Sequence, residues 1–120
     1  MLPNEDRVRL RQMLDHCREA VALVAGRSLE SVAADRVLGL ALVRLLEVVG
    51  EAAGRVSPET RARNRSIPWP QTVSMRNRLI HGYDSVDMGI VWQVIQHDLP
   101  PVIGQLERLL SPEGDEPVDS

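Results

Sequence analysis

The residues best suited to chemistry lie in one short run, Met75-Arg76-Asn77-Arg78-Leu79-Ile80-His81-Gly82-Tyr83. Within it, Arg76 precedes His81 by five positions. A neutral imidazole with a pKa near ~6.5 can accept a hydroxyl proton at cellular pH. A planar guanidinium can hold a phosphate and stabilise the charge that develops on its oxygens. Because RNA carries its own nucleophile, the 2′-hydroxyl, such a pair could cleave a strand without a metal ion.

Spacing alone leaves a purely structural reading of these residues open. On one helix, positions five apart lie about 140° apart around the axis. Arg76 and His81 could therefore converge if His81 swings out at the helix end, or if two copies of the helix face each other. Arg76 shares a helical stripe with Val73 and Ile80, so we expect it on an apolar face with an anionic partner. In the structural interpretation, Arg76 makes an internal ion pair and His81 interacts with the dipole at the C-terminal end of the helix.

Other polar residues have simpler explanations. His16 and His97 have no acid or cysteine at ligand spacing, and we expect both on a surface or an interface. Cys17 lies on an apolar helical stripe, and we expect it to be a small residue of the core. Glu47 and Glu51 are one helical turn apart; they could be an acid and a base, but a solvated surface pair is the simpler interpretation. The sequence therefore predicts no metal and no cofactor.

Charge is distributed unevenly along the chain. All 14 basic residues are arginines, set against 17 acidic residues. The segment 60–83 contains no acid and five of the arginines: Arg61, Arg63, Arg65, Arg76 and Arg78. A local basic segment on an acidic body can bind a polyanion at one place and repel it elsewhere. Codon usage together with chance clustering is the alternative.

Composition indicates one ordinary domain. The chain has 120 residues and a net charge of −3, and 43% of its residues are hydrophobic. No apolar stretch reaches the ~18 residues that a membrane span needs. The first residues lack the pattern of a secretory signal. We expect a cytoplasmic protein with no membrane association.

Apolar residues recur in steps of three and four, which predicts helices throughout. Ser28 and Asp87 are candidate N-caps, and Gly26 is placed to end the first helix. Pro58 follows Ser57 as a proline follows an N-cap. The predicted helical segments are 4–25 with Asn4 as N-cap, 35–54, a short turn from 58, 70–81 ended by Gly82, 87–97, and a last helix restarted at Pro100-Pro101 and ending near Leu110.

The expected fold is all-α, an antiparallel bundle of four to five helices over residues 1–110. Residues 111–120 are acidic and contain prolines, so we expect a flexible tail. Only three aromatic residues occur, which makes the predicted core aliphatic. The long apolar stripes also leave room for a dimer formed through helices.

Several stretches together resemble one known family. They are Leu46-Glu47-Val48-Val49-Gly50-Glu51-Ala52-Ala53, Ile67-Pro68-Trp69, the run from Met75 to Tyr83, Ile90-Val91-Trp92 and Asp98-Leu99-Pro100-Pro101. The chain resembles the HepT-like branch of the HEPN superfamily, the toxin half of type VII (HepT/MntA) toxin–antitoxin pairs. The resemblance covers more than half of the chain closely.

The resemblance implies a HEPN-like homodimer in which two Arg-x4-His motifs line one cleft and cleave cellular RNA without a metal. Carried over by position, Arg76 and His81 would be catalytic, and Asn77 and Arg78 would support the site or contact the substrate. Tyr83 would be the tyrosine that an MntA-like minimal nucleotidyltransferase antitoxin modifies with AMP. A bulky anionic adduct there would fill the cleft and repel RNA. The alternative is a non-catalytic helical subunit that docks such a nucleotidyltransferase or binds its nucleotide.

Overall fold

A computed structural model describes residues 2–81 and 85–112, with the backbone but not the side chain of His81. The described residues form an all-α bundle with one two-stranded ribbon, which confirms the predicted fold class. The helices are α1 Asn4–Val24, α2 Leu29–Ala33, α3 Arg36–Gly54, α4 Pro58–Arg63, α5 Trp69–Val73, α6 Met75–Leu79, α7 Met88–Gln93 and α8 Leu99–Leu110, and the strands are β1 Ile80–His81 and β2 Ser85–Val86.

The two longest helices, α1 and α3, pack against each other in antiparallel directions. Asp6 in the first turn of α1 binds Ser57, which lies just beyond the end of α3. Their apolar faces, together with α8, enclose an aliphatic core. Cys17 is fully buried there, as predicted, and burial raises the pKa of its thiol to about 12. The largest fully buried side chains include Leu10, Met13, Leu14, Leu42, Leu46, Leu79 and Leu106.

Short polar side chains begin the helices where the sequence predicts them. The predicted caps Ser28, Ser57 and Asp87 each accept a hydrogen bond from the backbone N–H three residues on. The side chain of Asp35, where the sequence predicts only the start of a helical segment, caps α3 in the same way. These bonds satisfy N–H groups that have no partner within the helix. The cap predicted at Asn4 is wrong, because α1 begins at Asn4 itself and has no side-chain cap.

Gly26 has a φ of +76°, which suits the glycine predicted to end α1. The backbone therefore turns just after α1 without a steric conflict at a Cβ atom.

The single helix predicted over 70–81 is wrong. The chain instead forms α5, breaks at Ser74, forms α6, and enters β1 at Ile80. β1 pairs with β2 in antiparallel register, Ile80 opposite Val86 and His81 opposite Ser85. His81 thus lies in an extended segment just beyond a helix, not in a helical last turn.

Two contacts explain where these helices stop. The break between α5 and α6 lies against Gly50 of α3, where a Cβ atom would be only 3.0 Å from the carbonyl oxygen of Thr72. The absence of a side chain at Gly50 thus permits the close contact between α3 and this junction. At the other end of α6, the carbonyl of Leu79 accepts a bond of 3.0 Å from the N–H of Asp87. This bond joins the end of α6 to the residue that caps α7.

Helices α7 and α8 form one helical path with a π-helical turn, Val94–Asp98, between them. Pro100 and Pro101 fall in the first turn of α8 and cannot donate a helical hydrogen bond. The sequence predicts a kink or a restart of the helix at these prolines, and α8 begins at Leu99 directly after the π-helical turn. No helix in residues 2–81 and 85–112 is long and apolar enough to cross a membrane. Residues 113–120 of the predicted tail lie outside the described residues.

Candidate active site

Arg76 forms a bridge between the motif helix and the middle of α3. Its Nε donates a hydrogen bond of 2.9 Å to Oε2 of Glu47. The Arg76 side chain is 69% exposed, whereas that of Glu47 is only 20% exposed. The expectation of an apolar face for Arg76 is wrong. Because the motif helix ends two residues before His81, the stripe assumed through Ile80 is not helical.

The way in which Arg76 is held leaves its outer edge available. The bond to Glu47 uses Nε, and no described residue bonds to Nη1 or Nη2. Those two nitrogens are the edge with which arginine grips a phosphate or carboxylate through two parallel bonds. A half-buried carboxylate thus orients a guanidinium whose anion-binding edge faces solvent.

Arg78 points to a different part of the bundle. Its Nη2 donates a bond of 2.6 Å to Oδ2 of Asp98, the last residue of the π-helical turn. Positions two apart on a helix lie about 200° apart around the axis. Arg76 and Arg78 therefore extend to opposite sides of α6, as the helical spacing predicts, and Asn77 between them is exposed.

The remaining motif residues are only partly described. The backbone of His81 lies in β1 opposite Ser85, directly after α6. Its side chain is not described, and Gly82 and Tyr83 lie outside the described residues. The roles of His81 and Tyr83 stay predictions that rest on the sequence.

The five arginines of segment 60–83 differ in their surroundings. Arg61 is structural, because it donates to the carbonyls of Val56 and Gly54 beyond the end of α3. Arg63 and Arg65 are exposed and have no ion pair within the described residues. Arg63 and Arg65, together with the outer edge of Arg76, are therefore open to an external anion without breaking a contact within the described residues.

The other candidates from the sequence separate in the structure. Glu47 and Glu51 have different partners, because Glu47 binds Arg76 and Glu51 binds Arg44 at 3.4 Å. His16 bonds to the backbone of its own helix, and His97 is exposed, as expected. Among the described residues, no three His, Cys, Asp or Glu side chains come together as metal ligands would.

Two ion pairs of the motif arginines are not predicted by the sequence analysis. The pair between Arg78 and Asp98 joins residues 20 positions apart, and no local pattern indicates it. The pair between Arg76 and Glu47 joins α6 to α3. Its signal in the sequence is that Glu47 is a charged residue on a mostly apolar helix, where a partly buried charge requires a counter-ion.

Comparison with known proteins identifies the family. The family model described as ribonuclease HepT-like matches residues 13–109. The chain belongs to the HepT-like family. It is 35% identical over 104 residues to a candidate RNase of Caldanaerobacter subterraneus subsp. tengcongensis, covering 87% of this chain and 93% of that protein.

Another relative of this HepT-like chain carries the family name itself. The probable ribonuclease HepT of Thermococcus cleftensis is 32% identical over 80 residues, covering 67% of this chain and 73% of its own. No solved structure matches the chain. The residues matched by the family model include α3, α5, α6 and the π-helical turn. They therefore contain every contact of Arg76 and Arg78 described above.

Proposed function

We propose that this HepT-like chain is a metal-independent endoribonuclease and the toxin of a type VII toxin–antitoxin pair. The observation that carries the proposal is Arg76, held through Nε by Glu47 with its phosphate-binding edge exposed, five residues before His81. The two relatives above bear the name of ribonuclease, which supports the same reaction class. The proposed substrate is cellular messenger or transfer RNA.

The proposed reaction uses groups that RNA and the chain themselves supply. His81 accepts the proton of a 2′-hydroxyl, and the 2′-oxygen attacks the adjacent phosphorus. The bond from phosphorus to the 5′-oxygen breaks, which leaves a 2′,3′-cyclic phosphate and a 5′-hydroxyl. The leaving oxygen takes a proton from a second group, for which the other His81 of a dimer is suited. Arg76 binds the non-bridging oxygens as their charge increases.

A homodimer fits the exposed face of α3. Val37 and Leu40 there are 75% and 57% exposed. Arg44 and Glu47 follow Val37 and Leu40 at steps of four and three residues, so one helical stripe connects the apolar pair to the carboxylate that holds Arg76. Burying Val37 and Leu40 against a second copy would bring two motifs to one cleft.

The proposed partner is an MntA-like nucleotidyltransferase antitoxin that transfers AMP to Tyr83. The transfer joins the tyrosine oxygen to the α-phosphorus of ATP and releases pyrophosphate. An anionic nucleotide two residues from His81 would occupy the phosphate site and repel RNA. Because the site is basic and exposed, charge reversal there is an effective way to switch it off.

Growth inhibition tests the proposal. Expression of the wild-type chain without the antitoxin should arrest growth, and His81→Ala should abolish the arrest while the protein still binds the antitoxin. Intact-mass analysis after incubation with antitoxin and ATP should show one AMP on the wild type and none on Tyr83→Phe. Equal toxicity of the wild type and His81→Ala would contradict the enzymatic proposal.

One observation favours the docking-subunit alternative. Arg76 and Arg78 already have acidic partners, as residues with a purely structural role would. In that case, His81→Ala and Arg76→Ala would change neither growth nor RNA, and their effect would be on the affinity for the nucleotidyltransferase.

A further inference from the structure

A polar groove lies on the opposite side of α6 from Arg76. One wall is the 64–68 loop with the start of α5, and the other is α8. It consists of two neighbouring hollows of about 350 and 250 Å³ that share Ser66 and Gln105 in their linings. We call this the α8 groove; its lining includes Asn64, Ser66, Gln71, Arg78, His97, Asp98, Gln105 and Arg108.

Gln105 is the notable group where the two hollows meet. Its Nε2 donates a bond of 2.9 Å to the carbonyl of Ser66 and so ties the two walls together. Its Oε1 is buried and has no hydrogen-bond partner among the described residues. A buried acceptor without a donor is costly. Because Oε1 has almost no accessible surface in this structure, a ligand that supplies a donor bonds to it only when the Gln105 side chain turns outward into the groove.

Charge in the α8 groove favours an anion. Asp98 is the only acid in its described lining, and Arg78 neutralises it at 2.6 Å. Arg108 at the far end is exposed and has no ion pair within the described residues, and His97 is exposed as well. The exposed Arg63 and Arg65 flank Asn64 along the chain. The groove is thus a locally positive feature on a protein whose net charge is −3.

RNA offers both kinds of group that the α8 groove lacks. Its phosphates are anions for Arg108, and its 2′-hydroxyls and base N–H groups are donors for Gln105 Oε1. The groove is also connected to the proposed active site through α6. Arg76 and Arg78 lie on opposite sides of this helix, whose width is about 10 Å, a span that a few nucleotides cover.

We propose that the α8 groove binds the single-stranded RNA that flanks the scissile phosphate. The inference rests on the proposed ribonuclease function and adds to it a substrate site remote from Arg76. Arg108 contacts a phosphate, and Gln105 accepts a hydrogen bond from the strand. Affinity for RNA therefore depends on residues that lie outside the catalytic motif.

Binding of a labelled RNA tests this in the His81→Ala background, where the strand stays intact. The probe is a fluorescein-labelled single-stranded RNA of about 12 nucleotides, a length within the range that single-strand binding folds cover. Arg108→Gln should reduce the slope of log K against log[salt] by about 0.7, the value for one phosphate contact on a single strand. Gln105→Met should weaken binding about 3- to 10-fold, the loss of one hydrogen bond.

Arg11→Gln is the matched control. Arg11 is an exposed arginine beside the same end of α8, but it lines the junction of α1 and α8 instead of the groove. Its substitution changes the net charge equally and should leave the salt slope unchanged. The groove proposal would be overturned if Arg108→Gln and Arg11→Gln changed the salt slope equally. It would also be overturned if neither Arg108→Gln nor Gln105→Met changed RNA binding.

The two proposals fail in different ways. If the chain with His81 intact cleaves RNA, but Arg108→Gln and Gln105→Met leave RNA binding unchanged, only the groove proposal is wrong. If it cleaves no RNA, yet Arg108→Gln and Gln105→Met reduce binding as expected, the ribonuclease proposal is wrong and the groove stands as an RNA-binding site.

Discussion

At the scale of single residues, the side chains of Arg76 and Glu47 differ in how far they are exposed to solvent. The carboxylate is mostly buried and the guanidinium mostly exposed, so Glu47 is the fixed partner and Arg76 is the group that it orients. Exposed ion pairs contribute only about 0.2–1 kcal/mol to stability. The value of this pair for a phosphate-binding site lies in the direction that it gives to Nη1 and Nη2.

Glu47→Ala should therefore impair the reaction more than the fold. Loss of orientation at a reacting centre costs up to about 10²-fold in rate, so we expect kcat to fall about 10- to 100-fold with little change in KM. Glu47→Gln keeps a hydrogen-bond acceptor and should recover part of the loss. Steady-state RNA cleavage and urea unfolding measure the two properties separately.

Glu51→Ala is the control for that experiment. Glu51 lies one turn further along α3 and binds Arg44 instead of Arg76. The Glu51→Ala substitution should leave kcat unchanged. If Glu47→Ala and Glu51→Ala had the same kcat, Glu47 would have no positioning role.

At the scale of elements, Gly50 determines where the motif helix sits. The junction of α5 and α6 approaches α3 so closely that a Cβ atom at Gly50 would also lie 3.3 Å from the carbonyl oxygen of Val73. A backbone carbonyl cannot turn away as a side chain can. The position of α6, and with it that of Arg76, is thus linked to the absence of a side chain on α3.

Gly50→Ala should destabilise the protein by about 1–3 kcal/mol, the usual cost of overpacking, and should reduce RNA cleavage by displacing α6. Gly104→Ala on α8 is the control, because the nearest atom to its Cβ is the mobile end of Arg108 at 3.6 Å. There the helix propensity of alanine should add up to about 1 kcal/mol. Thermal unfolding of both variants checks this; a Gly50→Ala protein as stable as wild type contradicts it.

The junction between α1 and α4 depends on a buried carboxylate. Asp6 accepts hydrogen bonds from Ser57 N–H, Ser57 Oγ and Thr60 Oγ1, so one side chain connects the start of α1 to the first turn of α4. Burial opposes its ionisation, but these bonds and the charge of Arg61 together hold the pKa of Asp6 below its usual value.

Asp6 should make stability depend on pH in the acid range. Because its pKa is lower in the folded state, its contribution is fully present above the unfolded value of about 3.9 and is lost as the pH falls through the folded pKa. Asp6→Asn should lose about 1–3 kcal/mol at neutral pH, the cost of unsatisfied buried partners. Its unfolding free energy should fall less steeply than that of wild type between neutral pH and acid. Parallel curves for the two proteins would contradict this role.

Local signals predicted the elements well, and long-range contacts account for the errors. The caps at Ser28, Asp35, Ser57 and Asp87 were predictable because a cap acts within three residues. The break at Ser74 was not, because it depends on packing against Gly50, which lies more than 20 positions earlier. The Arg76–Glu47 pair had the same difficulty: both residues were noted, but only the fold brings them together.

At the scale of the whole molecule, one side of the bundle combines an exposed apolar stripe with the proposed catalytic residues. Val37 and Leu40 are among the large hydrophobic residues that the described structure leaves exposed. In the proposed dimer, this stripe meets its copy, and each protomer supplies Arg76 and His81 to a shared cleft. The α8 groove faces away from Arg76 and remains open to the strand.

Leu40→Glu should separate the protomers without unfolding them, because an exposed side chain contributes little to the monomer core and a charge opposes apolar contact. We expect a monomer by sedimentation, an unchanged circular dichroism spectrum and loss of RNA cleavage. Leu29→Glu on α2 is the control, since Leu29 is also an exposed leucine but lies off the α3 stripe. A fully active Leu40→Glu monomer would show that one protomer is sufficient.

The most direct test of the central claim is cleavage of total cellular RNA by the purified protein in the presence of a chelator. Intact-mass analysis first establishes that Tyr83 carries no AMP, and Arg76→Ala and His81→Ala are assayed beside the wild type. We predict cleavage that resists the chelator, leaves 2′,3′-cyclic phosphate ends and disappears in both variants. Intact RNA after incubation with the unmodified wild-type protein would contradict the account and would favour a helical subunit that docks a nucleotidyltransferase.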